Sequence, residues 1–340
     1  MNFMLDIQLP KAGKLINHQH NILSVGSCFT EHIGTALADL KFKVLQNPNG
    51  ILFDPSSVSS SLVSYIQNKQ YTGNNLIYLN ELWQSWQHHS RFSGTDKQQV
   101  LERINQSQMQ AHHFLREADW LIITLGTSFS YRLTDIVPTS PTESLRPLPE
   151  LPVANCHRAP AQWFQKYLMP VTETIEKLDN AIHQLFYFNQ KLQIIFTVSP
   201  VRHIRDGVVE NNRSKARLIE AVHHLVHKFD RLFYFPSYEI VIDVLRDYRF
   251  YDIDMVHPNY LATDFVLKKF LETFMSNETN QLVSEIKNVV IARRHKASHP
   301  TTEAHKKFLQ SNLEKVKALQ QQHPYLNFQE ELDYFAAYQL

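Results

Sequence analysis

The chain has 340 residues and a formal net charge of +1, with 43% hydrophobic and 20% charged residues. This near-neutral balance gives no global reason to expect nucleic acid or an anionic membrane as a partner. No stretch approaches the ~20 consecutive apolar residues that a membrane-spanning helix needs. Residues 1–10 lack the basic region and apolar core of a secretory signal, and two cysteines are too few for a disulfide framework. We therefore expect a cytoplasmic protein.

Short apolar runs alternate with helical patterns along most of the chain. We predict strands at 22–25, 42–45, 120–125, 193–198 and 232–235. We predict helices at 30–40, from the N-cap Asp54 to 67, at 96–117, at 162–189 with a bend near Pro170, at 211–229 and at 260–275. Residues 71–94 are predicted as an irregular aromatic insertion, and residues 138–160 as a proline-rich loop.

This alternation is typical of an α/β fold built on a doubly wound, flavodoxin-like parallel sheet of about five strands, with helices on both faces. We assign the α/β domain to residues 1–279 and place the aromatic insertion near its site. Residues 280–340 form a C-terminal helical extension with predicted helices at 282–294 and 302–321. This extension is either a hairpin packed on the core or a lid or oligomer contact, and the oligomeric state stays open.

The first strand ends in Gly26-Ser27-Cys28-Phe29, directly before a predicted helix. A glycine lets the chain turn sharply there, and the helix N-terminus directs free N–H groups and positive partial charge at the following side chains. We expect this setting to lower the pKa of Cys28, unless the cysteine is simply buried in an ordinary turn. In doubly wound sheets, ligands bind outside the carboxyl ends of the strands.

Asp254 and His257 are three residues apart, after the last predicted strand. In a tight turn, this spacing lets the carboxylate accept a hydrogen bond from Nδ1–H of the imidazole, so that Nε2 is free to act as a general base. The order along the chain, with a nucleophile after the first strand and an acid–histidine pair after the last, favours a hydrolase site.

This combination resembles the GSCFA family, within the SGNH-hydrolase superfamily, over most of the chain. The family's naming motif is present as Gly26-Ser27-Cys28-Phe29, with Thr30 in place of alanine. Further matching blocks follow in order: His88-His89-Ser90, Thr124-Leu125-Gly126-Thr127, Asn155-Cys156-His157, Ser199-Pro200-Val201-Arg202-His203, Glu210-Asn211-Asn212-Arg213-Ser214-Lys215 and Asp254-Met255-Val256-His257-Pro258. The resemblance implies an SGNH-like fold and ester chemistry.

The superfamily pattern implies roles for four of these residues. Its first block reads Gly-Asp-Ser, which aligns the nucleophilic serine with Cys28 and the aspartate with Ser27. Its last block, Asp-x-x-His, is matched by Asp254 and His257. A thiol paired with an imidazole is a competent acyl acceptor. Ser27 as the nucleophile, with Cys28 packed inward, is the rival assignment.

The oxyanion hole departs further from the superfamily pattern. The resemblance implies that the N–H of Gly50 is one donor. The block that begins at Gly126 has Ser128 where the superfamily has a donor asparagine. Loss of one such donor typically costs ~10²–10³ in rate. Asn155, from the proline-rich loop, is our candidate to replace it.

Four more residues are candidates for the substrate-binding pocket. Arg202 and His203 either bind a substrate carboxylate or hydroxyl, or pair with Asp206 or Glu210 and shape their loop. His157 and His89 either line the pocket or are partly buried, hydrogen-bonded histidines.

Three functions remain open. The first is a hydrolase or acyltransferase that acts on a small-molecule or carbohydrate ester without a cofactor. The second is a non-catalytic binding domain on a degraded hydrolase scaffold, as the changes at Ser27 and Ser128 suggest. The third is a zinc-dependent hydrolase, for which the available ligands are Cys28, Cys156, His157, His203 and His257.

Overall fold

The computed structural model describes residues 5–9, 11–135, 137 and 152–337. The strands are β1 (Asn21–Gly26), β2 (Lys43–Gln46), β3 (Ile77–Leu79), β4 (Leu82–Gln84), β5 (Trp120–Leu125), β6 (Phe129–Leu133), β7 (Phe164–Leu168), β8 (Gln193–Val198) and β9 (Leu232–Phe235). The helices are α1 (Cys28–Asp39), α2 (Pro55–Ile66), α3 (Lys97–Glu117), α4 (Val171–Phe188), α5 (Val208–Lys228), α6 (Ser237–Glu239), α7 (Tyr260–Phe274), α8 (Asn277–Arg294), α9 (Glu303–Gln322) and α10 (Gln329–Ala336). A π-helical turn, Ile240–Leu245, continues α6.

Five strands form a parallel sheet in the order β2-β1-β5-β8-β9, flanked by helices. Numbered within this sheet alone, the order is 2-1-3-4-5, which is the flavodoxin-like order. The predicted doubly wound α/β fold is therefore confirmed. The order reverses between β1 and β5, and β5 is buried along its whole length. The crevice at such a reversal, beyond the carboxyl ends of the strands, is where these folds bind ligands.

Two local predictions were wrong. The segment predicted as the first part of a long helix, 162–168, contains β7, which pairs antiparallel with β6. Pro170 is the reason, because its extended backbone (φ −60°, ψ 154°) makes it the N-cap of α4 instead of a bend within a helix. The aromatic insertion is not wholly irregular either, since β3 and β4 form a hairpin that turns at Asn80 and Glu81, both with positive φ.

Aspartate side chains cap the start of α2, where the cap was predicted, and also the start of α3. Asp54 caps α2 by accepting hydrogen bonds from the backbone N–H groups of Ser56 and Ser57, both at 3.1 Å. Asp96 caps α3 by accepting from the N–H of Gln99 at 2.8 Å. Of the predicted proline-rich loop, residues 138–151 lie outside the described part of the chain.

The chain divides into two compact units. The first comprises Met1–Gln8, Asn21–Gly34 and Leu45–Leu267, and the second Leu9–His20, Thr35–Val44 and Lys268–Leu340. The core of the first unit packs the central strands against α2, α3, α4 and α5. The predicted division between 279 and 280 falls within α8 and stays a prediction.

The second unit has its own apolar core, formed by α8, α9 and α10. One acidic side chain is buried in it. Glu331 of α10 is 0% exposed and accepts a hydrogen bond from Nζ of Lys41 at 2.7 Å. Arg293 lies on its other side, with Nε 3.3 Å from the carboxylate. None of the helices in the described ranges is both long and apolar enough to cross a bilayer.

Candidate active site

The turn after β1 is built by a close approach between two strand ends. Gly26 lies opposite Thr124 in the parallel register, and the N–H of Ser27 donates to the carbonyl oxygen of Thr124 at 3.2 Å. Gly26 has φ +152°, and a Cβ at this position would lie 2.3 Å from that carbonyl oxygen. Only glycine fits here. The chain therefore delivers Ser27 and Cys28 to the edge of the sheet at the point where strand order reverses.

Ser27 and Cys28 differ in access. Ser27 is 3% exposed, and its buried hydroxyl has no hydrogen-bond partner among the described residues. Cys28 is partly exposed and is the first residue of α1. A reagent can therefore reach Cys28, whereas the rival assignment requires a nucleophile that is shielded from solvent.

The expected lowering of the Cys28 pKa is wrong. Burial of the thiol raises its pKa above the ordinary value. Hydrogen bonds to the sulfur from the backbone N–H groups of Phe29 and of Cys28 itself oppose this shift, as does the positive charge of Lys215. The carboxylate of Glu31 acts in the same direction as burial. Desolvation outweighs the helix N-terminus, so Cys28 rests as a neutral thiol.

The Asp254–His257 pair is formed as its spacing predicts. Oδ2 of Asp254 lies 2.6 Å from Nδ1 of His257, while Oδ1 accepts from the backbone N–H groups of Val256 (2.9 Å) and His257 (3.0 Å). These hydrogen bonds lower the pKa of Asp254 to about 2. An ionised carboxylate at Nδ1 assigns the proton to that nitrogen and leaves Nε2 as an acceptor. Among the described residues, no hydrogen bond joins Nε2 to the sulfur of Cys28, and catalytic hydrogen bonds often form only when a substrate is bound.

Arg202 shapes the loop that carries His257. Its Nη1 donates to the carbonyl oxygen of Met255 at 2.9 Å, and its N–H donates to that of Val256 at 3.3 Å. The guanidinium carbon lies 4.0 Å from the ring centroid of Tyr251. The side chain is thus engaged with this loop, and neither Asp206 nor Glu210 is its partner.

His203 lies over the end of β5. Its backbone N–H donates to Oδ1 of Asn211 at 2.9 Å. A Cβ on Gly126 would lie 3.1 Å from its Nε2, and its ring centroid is 5.2 Å from that of Phe53. Burial, helped by the charge of Lys215, lowers the pKa of His203 to about 4, so the ring is neutral at physiological pH. Within the described residues, no hydrogen bond reaches its ring nitrogens, which leaves one donor and one acceptor for a ligand.

The expected oxyanion donors are already engaged. The N–H of Gly50 donates to the carbonyl oxygen of Asn47 at 2.7 Å, and that of Gly126 to Phe53 at 2.7 Å. Ser128 is 0% exposed, and both its N–H and its hydroxyl are hydrogen-bonded to Ser214 of α5. Gly50 and Ser128 therefore do not present free donors in this structure, and their role in an oxyanion hole stays a prediction.

Three other candidates hold local structure instead of an open pocket. Oδ1 of Asn155 accepts from the N–H of His157 at 2.9 Å, so this oxygen is engaged within its own loop. His157 is 6% exposed, and its Nε2 is 2.7 Å from the carbonyl oxygen of Ser85. His89 accepts at Nδ1 from the N–H of Arg91 and packs against Gly50. Of the two interpretations of His157 and His89, the structure favours hydrogen-bonded histidines.

The described residues give no support to the zinc interpretation. It requires at least three of its five ligands to converge on one ion. Across residues 5–9, 11–135, 137 and 152–337, no group of three or more histidine, cysteine, aspartate or glutamate side chains has the arrangement of a metal site. Cys156 packs against an apolar cluster with Trp86 and Leu133, and burial raises its pKa to about 11.

One residue at the site was missed in the sequence interpretation. Lys215 of α5 is 1% exposed, and its Nζ donates to the carbonyl oxygens of Gly126 and Ser199, each at 2.6 Å. Its charge interacts with that of Cys28. A signal was present, because Lys215 falls on the apolar face of its helix, three and seven residues before Leu218 and Val222.

The sequence of the chain matches models of known protein families. The sequence model described as the GSCFA family matches residues 21–270, which include every candidate residue above. A second model, described as the C-terminal domain of GSCFA domain proteins, matches residues 286–338. No curated protein matches the chain. Because the first match alone covers well over half of its length, the chain belongs to the GSCFA family.

Proposed function

We propose that this protein is an ester hydrolase or acyltransferase in which Cys28 is the nucleophile, His257 the general base and Asp254 the residue that orients the base. The observation that carries the proposal is the Asp254–His257 pair, with Nδ1 2.6 Å from Oδ2 and Nε2 left free. A binding module has no need of an imidazole fixed in this tautomer. The flavodoxin-like strand order and the Asp-x-x-His block support a relationship to SGNH hydrolases.

The chemistry balances with these residues alone. As the sulfur of Cys28 forms a bond to the ester carbonyl carbon, its proton passes to Nε2 of His257, and the carbonyl electron pair moves onto oxygen. When that pair returns, the bond to the alcohol oxygen breaks, and the imidazolium gives its proton to the leaving alkoxide. Water or a second alcohol then attacks the thioester by the same route in reverse, releasing the acid or a new ester.

The raised pKa of Cys28 decides how the thiol is activated. A cysteine that rests as a thiolate can attack without a base, but a neutral thiol needs one within reach. The N–H groups of Cys28 and Phe29, which face the sulfur, are the donors available to the developing oxyanion. Catalysis by this route therefore depends on the imidazole, and we expect the two residues to act as a unit.

The substrate class follows from the same surroundings. A neutral His203 offers one donor and one acceptor without charge, which suits the hydroxyl of a small alcohol or carbohydrate ester. Both cysteines are free, and free thiols persist in the reducing cytosol, so the proposal includes a cytoplasmic location. Neither nucleic acid nor a membrane is a partner in this proposal.

Intact-protein mass after exposure to an aryl acetate tests the proposal, with a fluorophosphonate as a second reagent. We expect one acetyl group on the wild type, none on Cys28→Ala, and formation at least tenfold slower in His257→Gln. Cys156→Ala is the matched control, because it removes the other thiol without touching the site. Labelling that survives Cys28→Ala and maps to Ser27 would transfer the nucleophile role. Equal acetylation of Cys28 in the wild type and in His257→Gln would reject the base.

A second candidate is a non-catalytic domain that binds a polar ligand. The observation that favours it is the engagement of Gly50, Gly126 and Ser128 in internal hydrogen bonds, which leaves few oxyanion donors. Its signature is an aryl ester reaction at Cys28 no faster than that of a free thiol, together with ester binding that His203→Ala weakens. Measurable turnover lost in Cys28→Ala would reject it.

A further inference from the structure

Lys215 lies where the two central strands end. Its two hydrogen bonds, each 2.6 Å, join the carbonyl oxygen of Gly126, just after β5, to that of Ser199, just after β8. Gly126 follows Thr124 by two residues, and Thr124 is bonded to Ser27. The ammonium group is therefore buried and hydrogen-bonded at the carboxyl-end edge of the sheet, the same edge at which Cys28 follows β1.

The charge of Lys215 is unusual because nothing acidic balances it. Among the described side chains, no carboxylate forms an ion pair with its Nζ. The ring of Tyr238 lies 5.8 Å from it, and Cys28 is the group whose charge acts on it. Burial lowers the pKa of this lysine to about 7. A buried cation without a counter-ion costs free energy, which makes a purely structural explanation incomplete.

Around Cys28, the other ionisable groups are few. Glu31, on its own helix, disfavours the thiolate. Burial keeps His203 neutral; the charges of Lys215, His257 and Lys166 also lower its pKa, and Asp206 raises it. Lys215 is therefore the positive charge that acts directly on the thiol.

We propose that Lys215 is a positioning residue whose positive charge, held at the same strand edge as Cys28, stabilises the thiolate as His257 removes the thiol proton. The inference rests on the proposed function for its purpose, but the pairing of charges can be measured without any substrate. No hydrogen bond joins Nζ to the sulfur in the described structure, so the lysine acts through its field and does not itself take the proton.

Coupling between the two groups has a distinct titration signature. Below pH 7 the lysine is charged and the thiolate fraction rises with pH. Above pH 7 the pair holds one proton, because the lysine titrates near that pH. That proton is either on the lysine, which leaves a thiolate, or on the sulfur. The ratio of these two states does not depend on pH, so the thiolate fraction stops rising. We therefore expect the rate of Cys28 alkylation by iodoacetamide to show a shoulder near pH 7. An isolated thiol shows a single rise.

The experiment follows alkylation of each cysteine by peptide mass spectrometry between pH 5.5 and 10, in wild type, Lys215→Met and Lys228→Met. Lys228 is on the same helix but exposed, and Cys156 is an internal control. In Lys215→Met, we expect the shoulder to vanish and Cys28 to react about tenfold more slowly at pH 6. A positive charge near the sulfur attracts an anionic reagent. The ratio of the rate with anionic iodoacetate to the rate with neutral iodoacetamide should therefore fall in Lys215→Met and stay at the wild-type value in Lys228→Met.

A shoulder that persists in Lys215→Met, or a wild-type profile with a single rise, would overturn the proposal. If Lys215→Met does not fold, the wild-type profiles of Cys28 and Cys156 decide it, since only Cys28 should show the shoulder. The outcome is separate from that of the proposed function. A Lys215-dependent profile without acylation by aryl esters would reject acyl transfer and retain the charge pairing.

Discussion

Nη1 of Arg202 donates to the carbonyl oxygen of Met255 at 2.9 Å, and this bond joins the loop after β8 to the loop that carries His257. Met255 has φ +59°, a strained value for a residue with a side chain, so its loop needs support from outside. The flat guanidinium supplies it, stacked on Tyr251 and bonded to the backbone. Arg202, a candidate substrate ligand in the sequence, is thus a support for the loop that carries His257.

Arg202→Lys should therefore slow acylation of Cys28 by an aryl acetate about tenfold while leaving the protein folded. A lysine keeps the charge but cannot stack as a plane and donate to Met255 together. The measurement is the rate of mass increase of the intact protein. Arg205→Lys, in the same loop and exposed, is the control. Equal rates in both variants would show that Arg202 does not position His257.

Asp254→Asn should reduce the acylation rate by about a hundredfold or more, because an amide cannot fix the proton on Nδ1 of His257. Asp252→Asn, two residues earlier, should have little effect. The pKa of Asp254, lowered to about 2, means that this carboxylate stays ionised across the working range. Any loss of acylation between pH 7 and 5 in the wild type must then come from another group. Full activity in Asp254→Asn would contradict the orienting role.

His88 should make the first unit less stable in acid. It is 1% exposed, and burial, with the charges of Lys69 and His157, lowers its pKa to about 3. In the unfolded chain a histidine titrates near 6.5. Below that pH the unfolded state therefore binds a proton at His88 that the folded state does not bind. The free energy of unfolding should fall by about 1.4 kcal/mol per pH unit from this group between pH 6 and 4.

His88→Phe tests this, because it keeps an aromatic ring beside Tyr71 and removes the titration. Urea unfolding followed by tryptophan fluorescence at pH 7.5, 6, 5 and 4.5 gives the slope of the unfolding free energy against pH. In the variant this slope should correspond to the uptake of one proton fewer on unfolding. His224→Phe, at an exposed position, should keep the wild-type slope. A constant offset between His88→Phe and wild type at every pH would mean that His88 contributes packing alone.

Gly50→Ala should destabilise the protein more than Gly207→Ala, although the two glycines have similar backbones. Their φ values are +83° and +88°, a region that costs about 1–3 kcal/mol for other residues. A Cβ on Gly50 would lie 2.2 Å from Cβ of His89, whereas one on Gly207 would meet no described atom within 4 Å. The difference in unfolding free energy therefore measures the clash with His89. Equal losses would show that His89 moves aside at no cost.

The sheet could be predicted from sequence because its strands are buried. A run such as Trp120–Leu125, apolar and closed by a glycine, has few other structures open to it. The antiparallel pair β6 and β7 was missed because Phe164–Leu168 alternates weakly and stands beside Pro170, within a stretch that also has a helical period. The partner of this strand, β6, is set by the tertiary structure and cannot be deduced from the local sequence pattern.

The features of the candidate site also fall into those that the local sequence determines and those that depend on the rest of the fold. The Asp254–His257 pair is local, three residues apart, and its geometry follows from its spacing. The pKa of Cys28 depends instead on how much of the protein covers the sulfur, and here burial outweighs the helix N-terminus. The N–H of Gly50 is likewise bonded to Asn47, although an open donor was implied. Quantities that depend on what lies across the fold cannot be obtained from a motif.

Glu331 places a limit on how the chain can be shortened. Its carboxylate, fully buried in the second unit, is the anion between Lys41 and Arg293. Cutting the chain before α10 would remove that anion together with the apolar side chains of the helix. Lys41 and Arg293 would then lack this carboxylate partner, next to a core that had lost part of its packing. The segment that carries α10 therefore cannot be treated as a disposable tail when expression boundaries are chosen, because its charge balances a residue far earlier in the chain.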